Sequence, residues 1–227
     1  VLIHRLVVSP WQANCYILQP SEQSPEVVVV DPGIFGAAEI AARLDELSLV
    51  PVALLGSHGH IDHVGDAHVL AERFEIPLHL TEPDQPLLTK PGLALSAASA
   101  QFLPQMLGGT DELPPVRDVV TLRREQEVGP LRVAMTEAPG HTKGSCLLEV
   151  SHGGQSVILS GDVLFAGSIG RTDFPGGSMS EMRDSLRRIV ADVDRVSTML
   201  PGHGPATTLG DELATNPYLQ ADFLKVD

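Results

Sequence analysis

The sequence predicts an α/β sandwich with helices outside two packed sheets, and three observations point there. Strand-like and helix-like runs are interspersed through both halves of the chain. The strand run PVALLGS is short and nearly all apolar, as expected where both faces of a sheet are covered. The histidines and aspartates cluster in loops just beyond those runs, where a rigid scaffold presents chemistry.

The first thirty residues read as three strands, LIHRLVV, NCYIL and EVVVVD, ending at the turn Asp31-Pro32-Gly33. From Gly36 to Leu47 the spacing of Ile40, Leu44 and Leu47 predicts one helical face. PVALLGS is a short buried strand that runs directly into SHGHIDH, and Val64 to Phe74 again has helical spacing. IPLHL is a further strand. Residues 81–115 are rich in proline, glycine and alanine, with one helix expected around Ala94 to Met106. This stretch reads as an insertion or lid beside the main sheet, within one domain spanning 1–227. Strand patterns resume over residues 117–137 and in GSCLLEV and QSVILSGD. Ser180 to Val190 is amphipathic, with Met182, Leu186, Ile189 and Val190 on one side. VSTMLPGHGP gives a last strand and loop before a short helical tail.

Length and composition suit one substantial globular domain: 227 residues, 43% hydrophobic and 19% charged. No apolar run approaches the ~20 residues that cross a bilayer. No basic segment followed by an apolar stretch marks a signal peptide. The net charge of −14, without a basic cluster, argues against nucleic-acid binding, which needs cations to displace counterions from phosphates. Cys15 and Cys146 lie in apolar strand runs and read as small buried residues. A disulfide between them has little support, so a reducing cytoplasm is the expected location.

The chemistry concentrates in His58-x-His60-x-Asp62-His63. A loop leaving a strand can point His58 and His60 at a common ion, while Asp62 and His63 turn toward a neighbouring one. Alternatives remain at this level: Asp62 can cap the following helix, and loop histidines can be surface decoration. Three later loops repeat the theme, with His141 in Pro-Gly-His-Thr, Asp162 in Ser-Gly-Asp and His203 in Pro-Gly-His-Gly-Pro. Five of the nine histidines occupy these loops, which makes coincidence a poor explanation. Imidazole and carboxylate donors suit zinc, iron or manganese without selecting among them.

HGHIDH, PGHT, SGD and PGHGP resemble, in the same order, the successive motifs of the metallo-β-lactamase superfamily, over almost the whole chain. The resemblance implies an αββα sandwich with a two-metal site at one edge. By the same carry-over His58, His60, His141 and Asp162 hold the first metal. Asp62, His63, Asp162 and His203 hold the second, with Asp162 bridging. Two divalent ions, zinc being the first expectation, share a water and lower its pKa to give a hydroxide nucleophile. Asp62 is the expected catalytic partner that orients it.

LFAGSIGRTDFPGGS, residues 164–178, and the late NPYL resemble glyoxalase II, the hydroxyacylglutathione hydrolase. That implies a small-molecule thioester substrate and assigns Arg171 to substrate binding. The residue-level alternative is a structural arginine tied to Asp173. The sequence departs from that family where glutathione is held. It ends soon after PGHGP, Lys225 is the only lysine or arginine after Arg195, and the glutathione-holding tyrosines are missing. Another low-molecular-weight thiol fits as well. Lys143, two residues past His141, is a substrate contact or a solvent-exposed loop lysine. GRTDF also occurs in iron-dependent persulfide dioxygenases of this fold, which is the second reading. A non-catalytic zinc-binding interaction module is the third. The third conflicts with retention of the whole ligand set.

Overall fold

The structure, a computed structural model, describes residues 1–225. Val226 and Asp227, the last positions of the expected 1–227 domain, lie outside the described residues. Two mixed six-stranded sheets pack face to face. The first follows chain order: β1 (Leu2–Val8), β2 (Ala13–Gln19), β3 (Glu26–Val30), β4 (Val50–Leu55), β5 (Leu78–Leu80) and β6 (Val119–Thr121). The second contains β7 (Glu125–Val128), β8 (Leu131–Glu137), β9 (Cys146–His152) and β10 (Gln155–Gly161). A two-stranded ribbon follows, β11 (Leu164–Phe165) and β12 (Ser168–Ile169). Then β13 (Thr198–Pro201) and β14 (Thr207–Thr208) complete the second sheet in the order β14-β13-β10-β9-β8-β7.

The apolar strands need two buried faces because each sheet is covered twice. Side chains alternate along a strand, so neighbours enter different layers. In β2, Cys15 and Ile17 pack with the helices α1 (Ala37–Glu46) and α3 (Ala67–Phe74), while Tyr16 and Leu18 pack between the sheets. In β3, Val27 and Val29 take the first course, and Val28 and Val30 the second. Leu147 of β9 faces the opposite outer layer, under α6 (Met179–Asp192), which buries Met182, Leu186 and Ile189. Ser178 caps α6, its Oγ accepting from the backbone N–H of Glu181 at 3.3 Å. The result is an αββα sandwich, as expected.

Two helix expectations are corrected. The run predicted over Val64–Phe74 divides at Gly65-Asp66 into α2 (Ile61–Val64) and α3. The Asp66 backbone N–H donates to the Gly33 carbonyl at 2.6 Å, and its carboxylate accepts from Ala37 N–H at 2.8 Å. Those bonds run across to α1 instead of along one helix. The helix expected over Ala94–Met106 is two four-residue helices, α4 (Ala97–Ala100) and α5 (Leu103–Met106). A turn at Gln101-Phe102 separates them, and Pro104 lies in the first turn of α5. Leu103 and its neighbours pack on Ile34 and Ile61, which ties residues 95–113 to the start of α2. Cys15 and Cys146 are buried free thiols. Among the described residues no helix is long and apolar enough to cross a membrane.

Candidate metal centre

The ends of β4, β10 and β13 lie along one edge of the sandwich and lead into the predicted loops. His58 and His60 follow β4, Asp62 and His63 lie in α2, Asp162 follows β10 and His203 follows β13. His141 joins them from the connection between β8 and β9. The structure brings all seven side chains together in three overlapping groups: His58–His60–His141, His58–His63–Asp162 and Asp62–His63–His203. Within each group the donor atoms lie within 4.8 Å of one another. Asp162 touches both ends of the cluster. Its Oδ1 lies 3.4 Å from His63 Nε2, and its Oδ2 lies 3.4 Å from His141 Nε2 and 3.6 Å from His203 Nε2.

Asp62 does not cap the helix. The residue at the start of α2 is His60, and Asp62 Oδ2 sits 3.3 Å from His203 Nε2 and 3.6 Å from His63 Nε2. Two glycines make this closeness feasible. A Cβ at Gly202 would overlap Asp162 Oδ1 and lie 2.6 Å from the His63 ring. A Cβ at Gly170 would overlap the Asp162 carbonyl.

Partners outside the cluster turn the rings inward. His63 Nδ1–H donates to Asp31 Oδ2 at 3.1 Å, and His141 Nδ1–H donates to the Arg171 carbonyl at 2.7 Å. Ser57 Oγ donates to the same Asp31 oxygen at 2.7 Å and accepts from His58 Nδ1–H at 3.0 Å. His203 Nδ1–H reaches the Gln12 carbonyl at 3.2 Å. Each bond leaves Nε2 facing the cluster, the arrangement a metal-ligating histidine needs. The His203 loop is gripped by the first sheet, where Asn14 Nδ2 donates to Pro201 and Gly204 carbonyls at 2.8 and 2.9 Å.

Sequence reasoning missed two carboxylates. Asp31, in the left-handed region at φ +50°, orients His63 and, through Ser57, His58. Asp84 is buried behind the histidine loop. It accepts from the backbone N–H groups of Gly59 and Gly144, both at 2.8 Å, and from Thr142 Oγ1 at 2.7 Å. It thereby fastens the His60 loop to the His141 loop. Asp31 had a weak signal, an aspartate closing an all-valine strand before Pro-Gly; Asp84 had none.

Burial, with the neighbouring imidazoles, lowers the pKa of His58. Burial and then His141 lower His60 to about 3, and burial lowers His141 to about 4. At His63 burial works the other way from its neighbours, but Asp162, Asp62 and Asp31 prevail and raise it to about 10. His203 is raised by Asp62 and Asp162 against its burial. Burial opposes ionisation of Asp62, yet His63 and His203 hold its carboxyl below the usual range; burial raises Asp162. Among the described residues, three buried atoms of the cluster, His60 Nε2, His141 Nε2 and Asp162 Oδ1, have no hydrogen-bond partner. Leaving such atoms unmatched is costly, and nitrogen and carboxylate donors of this kind suit a divalent ion. The residues fit a metal.

The cluster forms the floor of a pocket of about 790 Å³. Arg171 lines it, with Nε and Nη2 donating to the two Asp173 oxygens at 2.8 Å each and the guanidinium 3.6 Å above the Phe174 ring. Asp173 is pulled down to about 2 by that guanidinium. Lys143 is exposed and does not line the pocket.

Fold and site together define a metal-dependent hydrolase built on the metallo-β-lactamase fold. The model of the metallo-beta-lactamase superfamily matches residues 8–203, and the chain belongs to that superfamily. An uncharacterized protein of Mycobacterium tuberculosis (strain ATCC 25618 / H37Rv) is 36% identical, covering 91% of this chain and 92% of its own. The hydroxyacylglutathione hydrolase GloC of Haemophilus influenzae is 32% identical, covering 96% and 98%. Among solved structures, BLEG-1 B3 metallo-beta-lactamase has a TM-score of 0.82 at 30% identity, covering 97% of this chain and 100% of that one. TTHA1623 in a di-iron-bound form has a TM-score of 0.76 at 31% identity, covering 95% and 100%.

Proposed function

We propose that this chain hydrolyses a thioester of a low-molecular-weight thiol with two divalent ions, zinc being our first assignment. His58, His60 and His141 would hold one ion and Asp62, His63 and His203 the other, with Asp162 shared. Bound there, the ions would lower the pKa of water toward neutrality and polarise the carbonyl under attack. Iron or manganese suits the same donors, and the di-iron-bound neighbour supports a two-ion reading.

The carrying observation is that the donor cluster floors the pocket while both thiols of the chain are inert. Burial pushes the Cys15 and Cys146 thiols well up, and neither lines the pocket, so neither serves as nucleophile. We assign water as the attacking group. We assign Asp62, ionised and part-exposed beside His63 and His203, to orient that water. Arg171 is our substrate-binding residue, contacting substrate as half of a neutral pair with Asp173. We assign residues 81–115 as the outer wall or lid of the pocket, within one hydrolase domain of 1–227. The hydroxyacylglutathione hydrolase activity of GloC supports the thioester class.

The test is metal content of the purified protein alongside thiol release from S-lactoylglutathione under argon and under air. Two metal equivalents with oxygen-independent release support the proposal. A single iron, with no thiol release and oxygen uptake on glutathione persulfide, replaces it with the dioxygenase reading. Cleavage of a β-lactam without thioester turnover would move it toward the chemistry of BLEG-1.

A further inference from the structure

Above the metal-ligand cluster the pocket turns apolar. Phe174 meets His60 edge to face at a ring separation of 6.4 Å, and Phe165 meets His203 in the same manner at 6.0 Å. Aromatic walls therefore begin directly at both ends of the cluster. Leu95 and Met106 extend them, and Trp11 and Phe102 complete them while 49% and 60% exposed. Large apolar side chains left this open around a cavity mark a surface meant to be covered.

Charge is the second observation. Among the described residues that line the pocket, Arg171 is the only lysine or arginine. Its Nε and Nη2 already face both Asp173 oxygens, and Phe174 covers one face of the guanidinium. A carboxylate held between these walls, away from the cluster floor, would lose water without gaining a free lysine or arginine, which is unfavourable. An uncharged ring or alkyl chain loses nothing and gains contact with four aromatic side chains.

We propose that this pocket is a subsite for an uncharged, apolar arm of the substrate, an aromatic or alkyl thiol or acyl group, in preference to the doubly carboxylated arm of glutathione. The proposal rests on the thioesterase reading for its substrate, but the subsite itself is read from the walls. The arm would lie between Trp11, Phe102 and Phe174, with the thioester carbonyl directed at the cluster floor.

Trp11 is the single tryptophan of the chain, so its emission reports the pocket without any turnover. The metal-loaded protein is titrated with the benzyl thioether of N-acetylcysteamine and, separately, with S-methylglutathione. We expect the benzyl compound to blue-shift Trp11 emission and saturate at a concentration about tenfold lower or less. Phe102→Ser, at an exposed position, should reduce that preference to about twofold. The kinetic arm compares KM for the lactoyl thioesters of benzyl mercaptan and glutathione, with the benzyl ester lower. Equal or tighter binding of S-methylglutathione, or a preference untouched by Phe102→Ser, overturns the subsite. Preference in fluorescence with no turnover of either ester upholds the subsite and removes the thioesterase reading. Efficient turnover with a lower KM for the glutathione ester does the reverse.

Discussion

The two halves of the cluster are built on different electrostatic principles. His58, His60 and His141 are buried, and burial keeps them neutral. A hydroxyl steers the His58 ring and a carbonyl the His141 ring, while His60 Nδ1 lies 3.1 Å from His58 Nε2. Asp62, His63 and His203 form a charged set, with His63 raised to about 10 among three carboxylates. Their outer members are open to solvent, the side chains of Asp62 and His203 being 19% and 26% exposed. The first half resembles a fixed socket; the second is an ion-pair network that, on the proposed ligand set, would exchange a proton for a metal. A chain can thus hold two similar ions at sites with different affinities and pH responses.

The largest expected effect comes from Asp62→Ala in the charged half. Turnover should fall by about 10²–10⁴-fold, while circular dichroism stays unchanged. Retained activity would remove Asp62 from the mechanism and blur the distinction between the halves.

Next is the pH dependence of metal content. His60 at about 3 and His141 at about 4 are neutral above pH 5, so the first half should keep its ion down to there. His63 at about 10 is protonated throughout the neutral range, so each bound ion must displace a proton. Affinity of the second half should fall about tenfold per pH unit as pH drops from 8 to 6. Dialysis at stepped pH followed by elemental analysis should pass from two equivalents to one. Simultaneous loss of both ions would break the comparison.

Asp31→Asn and Asp84→Asn sharpen it further. Asp31 receives the His63 N–H, so its variant should weaken the second ion by about 10–100-fold. Asp84 contacts backbone and Thr142 behind the first half. Its variant should cost about 2 kcal/mol of stability, read by urea unfolding. A reversed pattern would mean the two carboxylates support the cluster as one unit. The smallest effect belongs to Arg171→Ala, because the pair it makes with Asp173 is exposed. KM for an anionic thioester should rise by less than about fivefold; a larger rise would show Arg171 reaching the substrate carboxylate itself.

The seven clustered residues were legible because each lies within a short motif at the end of an apolar strand, and strand ends are where a sandwich gathers its loops. The buried strands were legible because both faces are covered, which removes polar residues from either register. Asp31 and Asp84 were poorly legible for the opposite reason. Their partners are backbone N–H groups and side chains up to 60 positions away, with no spacing to betray them. The α2–α3 break escaped because helical periodicity continues through Gly65 and Asp66 while the Asp66 N–H leaves the helix for the Gly33 carbonyl. The short α4 and α5 helices were masked by apolar spacing that survives the turn between them.

The pairing of His63 with His203, 140 residues apart, joins a loop of the first sheet to a loop of the second. On the proposed ligand set, neither sheet owns a complete coordination sphere. A ribosome-bound chain that has not yet released residue 203 has nowhere to seat the second ion. A complete coordination sphere would then report that the two sheets have packed face to face with their loop-bearing ends aligned.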